Sequence, residues 1–428
     1  DYVNPEAPWP EIEKLNKITS TSNQSLKPRA TLYPKYFNDL DSFSSPRISS
    51  QLLQITDSQS LIRSDFWRSG ISNKIPSYPE AIFNSNIRQS IDNVEKNPSI
   101  ENIQQLLETS DNDFKYVTDY ANDVKSQIHG SDITFVVNRN INYTNICSFK
   151  CNFCAFSKGR GHDDLRGKPY NISHEEIIRR TNEAVARGAT EVCLQGGIHP
   201  KYSGETYLDI VRAIRSASSS IHIHAFSPLE IDHGRKTLNI SAKEFLVELK
   251  KAGLNSLPGT AAEILHDEIR AIICPDKLTT KQWIEIIETA HSVGLPTTST
   301  MMFGHIEKTA HVAHHLLELL NLQKKTNGIT EFVPLPFVAD EAPIFRRGQA
   351  RPGPTFKETI LVHSVARILF QGQINNIQGS WVKMGLSGLK FLLSSGINDI
   401  GGVLMNESIT RSAGASFGQE LRLEEVEG

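Results

Sequence analysis

The 428-residue sequence has few cysteines, little net charge and no long apolar run. Its formal net charge of −3 gives no indication of a nucleic-acid partner or a membrane surface. No stretch of about 18 apolar residues is present, so we expect no membrane-spanning helix. Five cysteines are too few for a disulfide framework. We therefore expect a chain from a reducing compartment, the cytoplasm by default, although a plastid stroma would fit equally well once a transit peptide is removed.

Composition divides the chain into three parts. Residues 1–75 are rich in serine, proline and asparagine and have few apolar residues for a core of their own. Residues 76–131 carry apolar residues at helical spacing and predict a helical N-terminal extension. From residue 132 to 428, β-rich runs alternate with helical patterns. The start "DYVNPEAPWP" has neither an initiator methionine nor a signal pattern, so we expect the chain to be part of a longer protein.

Three helices of the third part have a start and a stop signal. Each begins at a Ser or Thr that is followed three residues later by Glu or Gln, as in a capping box, and each ends at a glycine. These pairs are Ser173 with Glu176, Ser241 with Glu244 and Thr279 with Gln282, and the glycines are Gly188, Gly253 and Gly294.

Eight strand candidates accompany these helices. They are 133–141, 191–196, 221–226, 254–258, 296–303, 329–335, 374–380 and 398–404. Eight β–α units over this length predict an α/β fold, a (βα)8 barrel of the TIM type. An open doubly wound sheet is the competing architecture.

The strand "IHIHAF" at 221–226 indicates a polar barrel interior. Side chains alternate along a strand, and the apolar positions must face the helices. We therefore expect His222 and His224, which share one face with Phe226, to point into the lumen. By the same alternation, one face of the strand at 374–380 carries Asn376, Gln378 and Ser380. A lumen with this many polar groups predicts a ligand cavity.

Three of the five cysteines fall in "CSFKCNFC", as Cys147, Cys151 and Cys154. Thiolates suit zinc, copper(I) or iron–sulfur clusters. Structural zinc needs four ligands, and neither Cys193 nor Cys274 has a nearby Cys or His at zinc spacing. Three cysteines would leave one iron of a four-iron cluster without a protein ligand. The segment follows the first predicted strand, which places it at the C-terminal face of the barrel, where active sites lie.

This C-x₃-C-x₂-C segment, with the aromatic Phe153 before its last cysteine, resembles the radical S-adenosylmethionine (SAM) superfamily. The resemblance implies a [4Fe–4S] cluster on the three cysteines and SAM bound at the open iron. Electron transfer from a reductant such as a ferredoxin or flavodoxin would then release a 5′-deoxyadenosyl radical. It also implies that Phe153 lies near the adenine. The "LQGG" segment, Gln195, Gly196 and Gly197, would lie against the methionine end of SAM.

Longer segments, among them "NRNINYTNICSFKCNFCAFSKG", "LPGTAAEIL", "IQGSWVKMG" and "NDIGGVLMNESITRSAG", resemble the tyrosine-using half of FO synthase, which makes the chromophore of coenzyme F420. That resemblance covers about 78–428 and implies a transferase. L-tyrosine would lose its Cα–Cβ bond, and its 4-hydroxybenzyl group would join C5 of 5-amino-6-(D-ribitylamino)uracil. The other products would be 2-iminoacetate, methionine and 5′-deoxyadenosine.

Substrate contacts follow as hypotheses. The polar candidates for the uracil and its ribityl chain are His224, Asn376, Gln378 and Ser380. Glu230 and Glu263 are candidates for binding an amino group, although a helix cap or a salt bridge explains each equally well. The general acid or base stays open among His222, His224, His305 and Glu230.

Two alternatives to this reading stay open. An aminofutalosine synthase of menaquinone synthesis shares the "GTAAE" type of segment, and a non-enzymatic metal-binding protein would use the same thiols. The first 75 residues, with "VNPEAPWPEIEKL" and "KPRATLYPKYFNDL", resemble the C-terminal tail of the other FO synthase half, the one that closes the deazaflavin ring. A dedicated N-terminal extension is the alternative for that segment.

Overall fold

A computed structural model describes residues 11–21, 26–80, 85–157, 168–403 and 405–422. Its strands are β1 Thr134–Val136, β2 Asn138–Asn142, β3 Glu191–Gln195, β4 His222–Ala225, β5 Thr297–Phe303, β6 Ile329–Pro336, β7 Asn376–Ile377 and β8 Asp399–Gly402.

Helices surround these strands and also form the N-terminal part. They are α1 Ile12–Thr21, α2 Leu40–Phe43, α3 Pro46–Ile55, α4 Ser85–Lys96, α5 Ile100–Leu107, α6 Asp111–His129, α7 His174–Ala186, α8 Gly204–Ala217, α9 Pro228–Leu238, α10 Ala242–Ala252, α11 Asp267–Ile273, α12 Thr280–Ser292, α13 Thr309–Thr326, α14 Pro343–Arg346, α15 Phe356–Leu369, α16 Trp381–Leu393 and α17 Ile409–Ser412. A 3₁₀ helix spans Pro34–Asp39.

The strands form a closed parallel ring. β8 pairs with β1, which continues into β2, and the ladders β2–β3–β4 and β5–β6–β7 are all parallel. Single parallel bridges join these pieces, from His224 to Ser256, from Leu257 to Thr297 and from Gln378 to Asp399. The predicted (βα)8 barrel is therefore confirmed.

Two predicted strands are shorter than expected, and one side chain points elsewhere. The fourth strand, 254–258, is reduced to the bridges at Ser256 and Leu257, and the seventh pairs as a ladder only at Asn376–Ile377. Alternation predicted Phe226 on the same strand face as His222 and His224, but Phe226 lies outside the strand. The strand ends at Ala225, and Phe226 has a left-handed backbone with φ 66°. Its ring packs on Tyr207 of α8 at 5.0 Å between centroids.

The predicted helix caps are present with one difference. The reciprocal capping box forms at the starts of α10 and α12. At α7 the Ser173 hydroxyl accepts the N–H of Glu176 at 3.3 Å, as predicted. The Glu176 carboxylate does not return to the cap, because it accepts hydrogen bonds from Arg179 and Arg180 instead.

The N-terminal part packs against the barrel. Helices α4, α5 and α6 lie on α15, and α5 also lies on α13. The guanidinium of Arg63 donates to the carbonyls of Gly353 and Pro354 at 2.8 and 3.1 Å. Next to it, buried Trp67 meets Phe356 edge to face. The domain boundaries at 75 and 131 stay predictions.

Within the described ranges, no helix combines the length and apolar character needed to span a lipid bilayer.

Candidate active site

The cysteine loop follows β2 and is held from two sides. On one side, the N–H of Ile198 donates to the Cys147 sulfur at 3.3 Å. On the other, the Asn152 N–H and side-chain amide donate to the carbonyls of Ile273 and Ile272 at 2.8 and 2.6 Å. The Asn152 carbonyl accepts the N–H of Ile344 of α14 at 2.7 Å. The backbone between the second and third cysteines is therefore fixed by distant parts of the barrel.

The three thiols suit an iron–sulfur cluster. All five cysteines lie within the described residues and are free, and those of the loop are half-buried. Burial raises the pKa of the Cys151 and Cys154 thiols. Their thiolate forms therefore need a positive partner, which iron would supply.

Lys277 joins the cysteine loop to the predicted residue Glu263. Its ammonium lies 2.6 Å from the Glu263 carboxylate and 5.2 Å from the centre of the Phe153 ring. Burial opposes its charge, but Cys151, Glu263 and Cys274 together raise the pKa of Lys277. Glu263 is thus engaged in an ion pair, and Phe153 in a cation–π contact. Their predicted contacts with substrate and adenine stay predictions, and the sequence analysis missed Lys277.

The two glycines after β3 lie where neighbouring parts of the chain leave no space for a side chain. A Cβ at Gly196 would overlap the ring of Tyr143, and one at Gly197 would overlap the backbone of Ile146. Among the described residues, the Gln195 amide reaches only the Cys193 sulfur, at 3.9 Å. Internal packing therefore explains both glycines, and the predicted SAM contact of this segment stays a prediction.

Glu230 caps helix α9. One carboxylate oxygen accepts the N–H and the hydroxyl of Ser227 at 2.7 and 2.6 Å, and the other accepts the Tyr143 hydroxyl. Burial raises its pKa, and the hydrogen bonds of Ser227 and Tyr143 oppose that rise. Chain donors thus engage both oxygens, and its predicted role with an amino group stays a prediction. The S-x-x-E pattern of the cap was readable in the sequence.

His222 and His224 converge on one hydroxyl. The Nε2 of His222 and the Nδ1 of His224 each lie 2.7 Å from Ser256 Oγ. Burial lowers the pKa of His224 to about 3, so this ring is neutral. One ligand atom each of Glu191, His222 and His224 lie within 4.8 Å of one another. The serine hydroxyl binds one nitrogen of each ring, so this group is a hydrogen-bonded network as it stands.

Asn376, Gln378 and Ser380 follow one another along β7 and the segment that leads into α16. Asn376 donates to a β6 carbonyl at 3.0 Å and accepts from Asn398 at 3.1 Å. The Gln378 side chain lies over Gly401, where a Cβ would collide with it. Ser380 is buried at the start of α16. The structure aligns these three residues along one strand path, and their substrate contacts stay predictions.

Three carboxyl groups lie near the N-terminal end of the barrel strands, and the sequence analysis missed them. Burial raises the pKa of Glu191 to about 7 and that of Glu331 well above its usual value. Burial also raises the pKa of Asp399, whose carboxyl accepts the Thr134 hydroxyl and the Gly401 N–H. These groups hold protons at a pH where exposed carboxyls have lost them.

His305, a candidate acid or base, lies beside the buried Glu307–Arg351 ion pair; burial lowers its own pKa, and its Nδ1 accepts the N–H of Ile306 at 2.8 Å. It is fully buried, and its Nδ1 lies 3.0 Å from the carboxylate of Glu307, which also pairs with Arg351 at 3.0 Å. Despite burial, His305 and Arg351 lower the pKa of Glu307 to about 2. These contacts give His305 a structural role, and proton transfer by it stays a prediction.

A closed parallel barrel with a three-cysteine loop after its first strand defines the class of radical SAM enzymes. Residues 141–320 match the Radical SAM superfamily, and residues 326–423 match the CofH/MqnC C-terminal region. Members of this superfamily use a [4Fe–4S] cluster and SAM, and the three thiols described above fit that cluster.

Relatives narrow the class. The chain is 46% identical over 321 residues to the 5-amino-6-(D-ribitylamino)uracil--L-tyrosine 4-hydroxyphenyl transferase of Methanothermobacter thermautotrophicus, which covers 75% of this chain and 86% of the relative. The chain belongs to the family of this transferase. It is also 38% identical to the FO synthase of Mycobacterium leprae over its whole length, but it spans only 55% of that relative.

Solved structures share the fold. Methylornithine synthase (PylB) superposes with a TM-score of 0.56 at 16% identity, covering 74% of this chain and 86% of that one. The FeFe-hydrogenase maturase HydG from Carboxydothermus hydrogenoformans gives 0.58 at 15% identity, covering 79% and 74%. At these identities the likeness concerns the barrel alone.

Proposed function

We propose that this chain transfers the 4-hydroxybenzyl group of L-tyrosine to C5 of 5-amino-6-(D-ribitylamino)uracil. The observation that carries the proposal is the 46% identity to a transferase of that name, over 86% of its length, in a chain with the three-cysteine loop. Tyrosine would be cleaved between Cα and Cβ. The remaining products would be 2-iminoacetate, methionine and 5′-deoxyadenosine.

The residues of the chain have three tasks in this proposal. Cys147, Cys151 and Cys154 would hold a [4Fe–4S] cluster, which together with bound SAM would supply a carbon-centred radical. The hydrogen bonds of Asn152 with Ile272, Ile273 and Ile344 fix the loop that carries these sulfurs. The polar lumen around His224 offers hydrogen-bond partners that hold both substrates close together and replace water.

The surroundings of the reaction belong to the same proposal. We infer that residues 1–75 are the tail of a deazaflavin synthase half that precedes this chain or works with it. In support, the match to the FO synthase covers the whole chain, whereas the match to the methanogen transferase covers 75%. A ferredoxin or flavodoxin would deliver the electron.

An anaerobic assay tests the reaction. Protein reconstituted with iron and sulfide is given SAM, a reductant and L-tyrosine, with and without the diaminouracil, and 5′-deoxyadenosine and the coupled product are measured. Both should form only with tyrosine, and the coupled product only with the uracil. Consumption of an enolpyruvyl benzoate with tyrosine left intact would instead favour the aminofutalosine synthase reading. Bound zinc without SAM cleavage would favour the metal-binding protein.

A further inference from the structure

Two asparagines on β2 have side-chain amide oxygens without a hydrogen-bond partner among the described residues. Asn140 and Asn142 share one face of the strand and pair in register with Cys193 and Gln195. The side-chain Oδ1 atoms of both asparagines are buried, and neither has a hydrogen-bond partner among the described residues. The Asn142 amide nitrogen is fixed, because it donates to Ser408 Oγ at 2.6 Å. Leaving a buried acceptor without a donor is unfavourable, so such atoms indicate a missing partner.

A half-satisfied carboxylate precedes, in the chain, the serine that accepts from Asn142. Glu407 is 4% exposed, and one of its oxygens accepts the N–H of Thr410 at 2.9 Å. Its Oε2 is buried and has no hydrogen-bond partner in the described ranges. The Gln419 amide holds the Glu407 carbonyl at 2.6 Å, which fixes the loop in place. Glu407 is followed by Ser408, the partner of Asn142, so the chain places Glu407 next to the residue that holds this asparagine.

A lysine without an ion pair in the described part of the chain interacts electrostatically with this carboxylate. Lys383 lies in the first turn of α16, and its carbonyl accepts the N–H of Gly70 at 2.7 Å. Its ammonium forms no ion pair or hydrogen bond with any residue in the described part of the chain. Burial lowers the pKa of Lys383 to about 8, and the charge of Glu407 opposes that effect. The charges of Lys383 and Glu407 therefore interact electrostatically, and no direct salt bridge joins them in the described part of the chain.

We propose that Lys383, Glu407, Asn140 and Asn142 form the subsite for the charged head of a free α-amino acid. An α-ammonium has three N–H donors, and Glu407, Asn140 and Asn142 each have one acceptor without a hydrogen-bond partner among the described residues. The α-carboxylate pairs with Lys383. This inference rests on the proposed function and deepens it, because it assigns the L-tyrosine head to residues other than Glu230 and Glu263. The diaminouracil with its ribityl chain is uncharged, so it has no need of the pair.

The test measures tyrosine and uracil binding separately, on the reconstituted holoenzyme with SAM. Lys383→Met and Glu407→Gln should each raise the dissociation constant of L-tyrosine by at least about tenfold, because each removes a charge-assisted contact. The dissociation constant of the diaminouracil and the iron content should stay unchanged. Lys390→Met, an exposed lysine on the same helix, is the matched control.

Truncated ligands identify which end each residue binds. Tyramine lacks the carboxylate, so Lys383→Met should leave its affinity unchanged, whereas 3-(4-hydroxyphenyl)propionate lacks the ammonium and should be indifferent to Glu407→Gln. If Lys383→Met unfolds the protein, Lys383→Arg keeps the charge and should retain tyrosine affinity within a few-fold, whereas Asn142→Ala should weaken it. Parent-like affinity for tyrosine in Glu407→Gln, or an equal loss for the uracil, would overturn the subsite.

The same titrations separate this proposal from the proposed function. If the parent binds and cleaves tyrosine but the variants keep its affinity, only the subsite fails. If the parent ignores tyrosine yet binds another α-amino acid that both variants lose, the subsite stands and the proposed substrate fails. A parent that binds no amino acid contradicts both.

Discussion

Replacing Glu191 by glutamine should stabilise the protein at alkaline pH and leave its stability unchanged at acidic pH. The Glu191 side chain is 19% exposed, and burial raises its pKa from 4.5 to about 7. Below pH 4.5 the carboxyl is protonated in both the folded and the unfolded chain. Between that pH and about 7 only the unfolded chain ionises, so the folded state loses stability as the pH rises. Glutamine resembles the protonated carboxyl and cannot ionise.

The size of the effect follows from the two pKa values. A tenfold change in an ionisation constant corresponds to about 1.4 kcal/mol, so a pKa raised from 4.5 to about 7 corresponds to about 3 kcal/mol. For a chain of 428 residues this is about 3 °C in melting temperature. The asparagine contact is kept, because Asn138 donates to the Glu191 carboxyl at 3.4 Å and a glutamine carbonyl accepts equally well.

Thermal unfolding of the cluster-loaded protein under nitrogen provides the assay. The melting temperature of Glu191→Gln minus that of the parent is measured from pH 5 to 8, with Glu285→Gln on the exposed face of α12 as control. The difference should grow with pH for the first variant and stay flat for the control. A difference for Glu191→Gln that does not change with pH would refute the raised pKa.

Three further substitutions test the described contacts. Cys151→Ala should lose the visible absorbance and the iron of the cluster together with SAM cleavage, and SAM cleavage retained in that variant would contradict the ligand assignment. Gly196→Ala should cost about 1–3 kcal/mol in unfolding experiments, because its methyl group overlaps the Tyr143 ring; an unchanged stability would show that the ring can move aside. Arg351→Met should cost about 3–5 kcal/mol by thermal unfolding, because Glu307 is left buried beside the weaker base of His305, and a loss below 1 kcal/mol would argue against the network.

Local sequence patterns predicted the barrel and the cysteine loop, but they could not predict contacts between residues far apart in the chain. The strand spacing and the motif at Cys147 are readable within a few residues. The contact of Lys277 with Phe153 joins positions 124 residues apart, and no pattern along the chain marks it. Phe226 was misplaced because alternation holds only while the backbone stays extended, and its φ of 66° ends the strand. The unpaired state of Lys383 depends on every neighbour in the fold, so the sequence carried no signal of it.

The Tyr143 side chain also restricts how this protein can change over time. Its ring occupies the space that Gly196 leaves, and its hydroxyl donates to the carboxylate of Glu230. A larger residue at 196 would therefore require a smaller one at 143, and that change would in turn remove a donor from the cap of α9. We expect homologous chains to alter these three positions together. Substitutions in the glycine segment after β3 should therefore be coupled to substitutions at the start of α9, which follows β4.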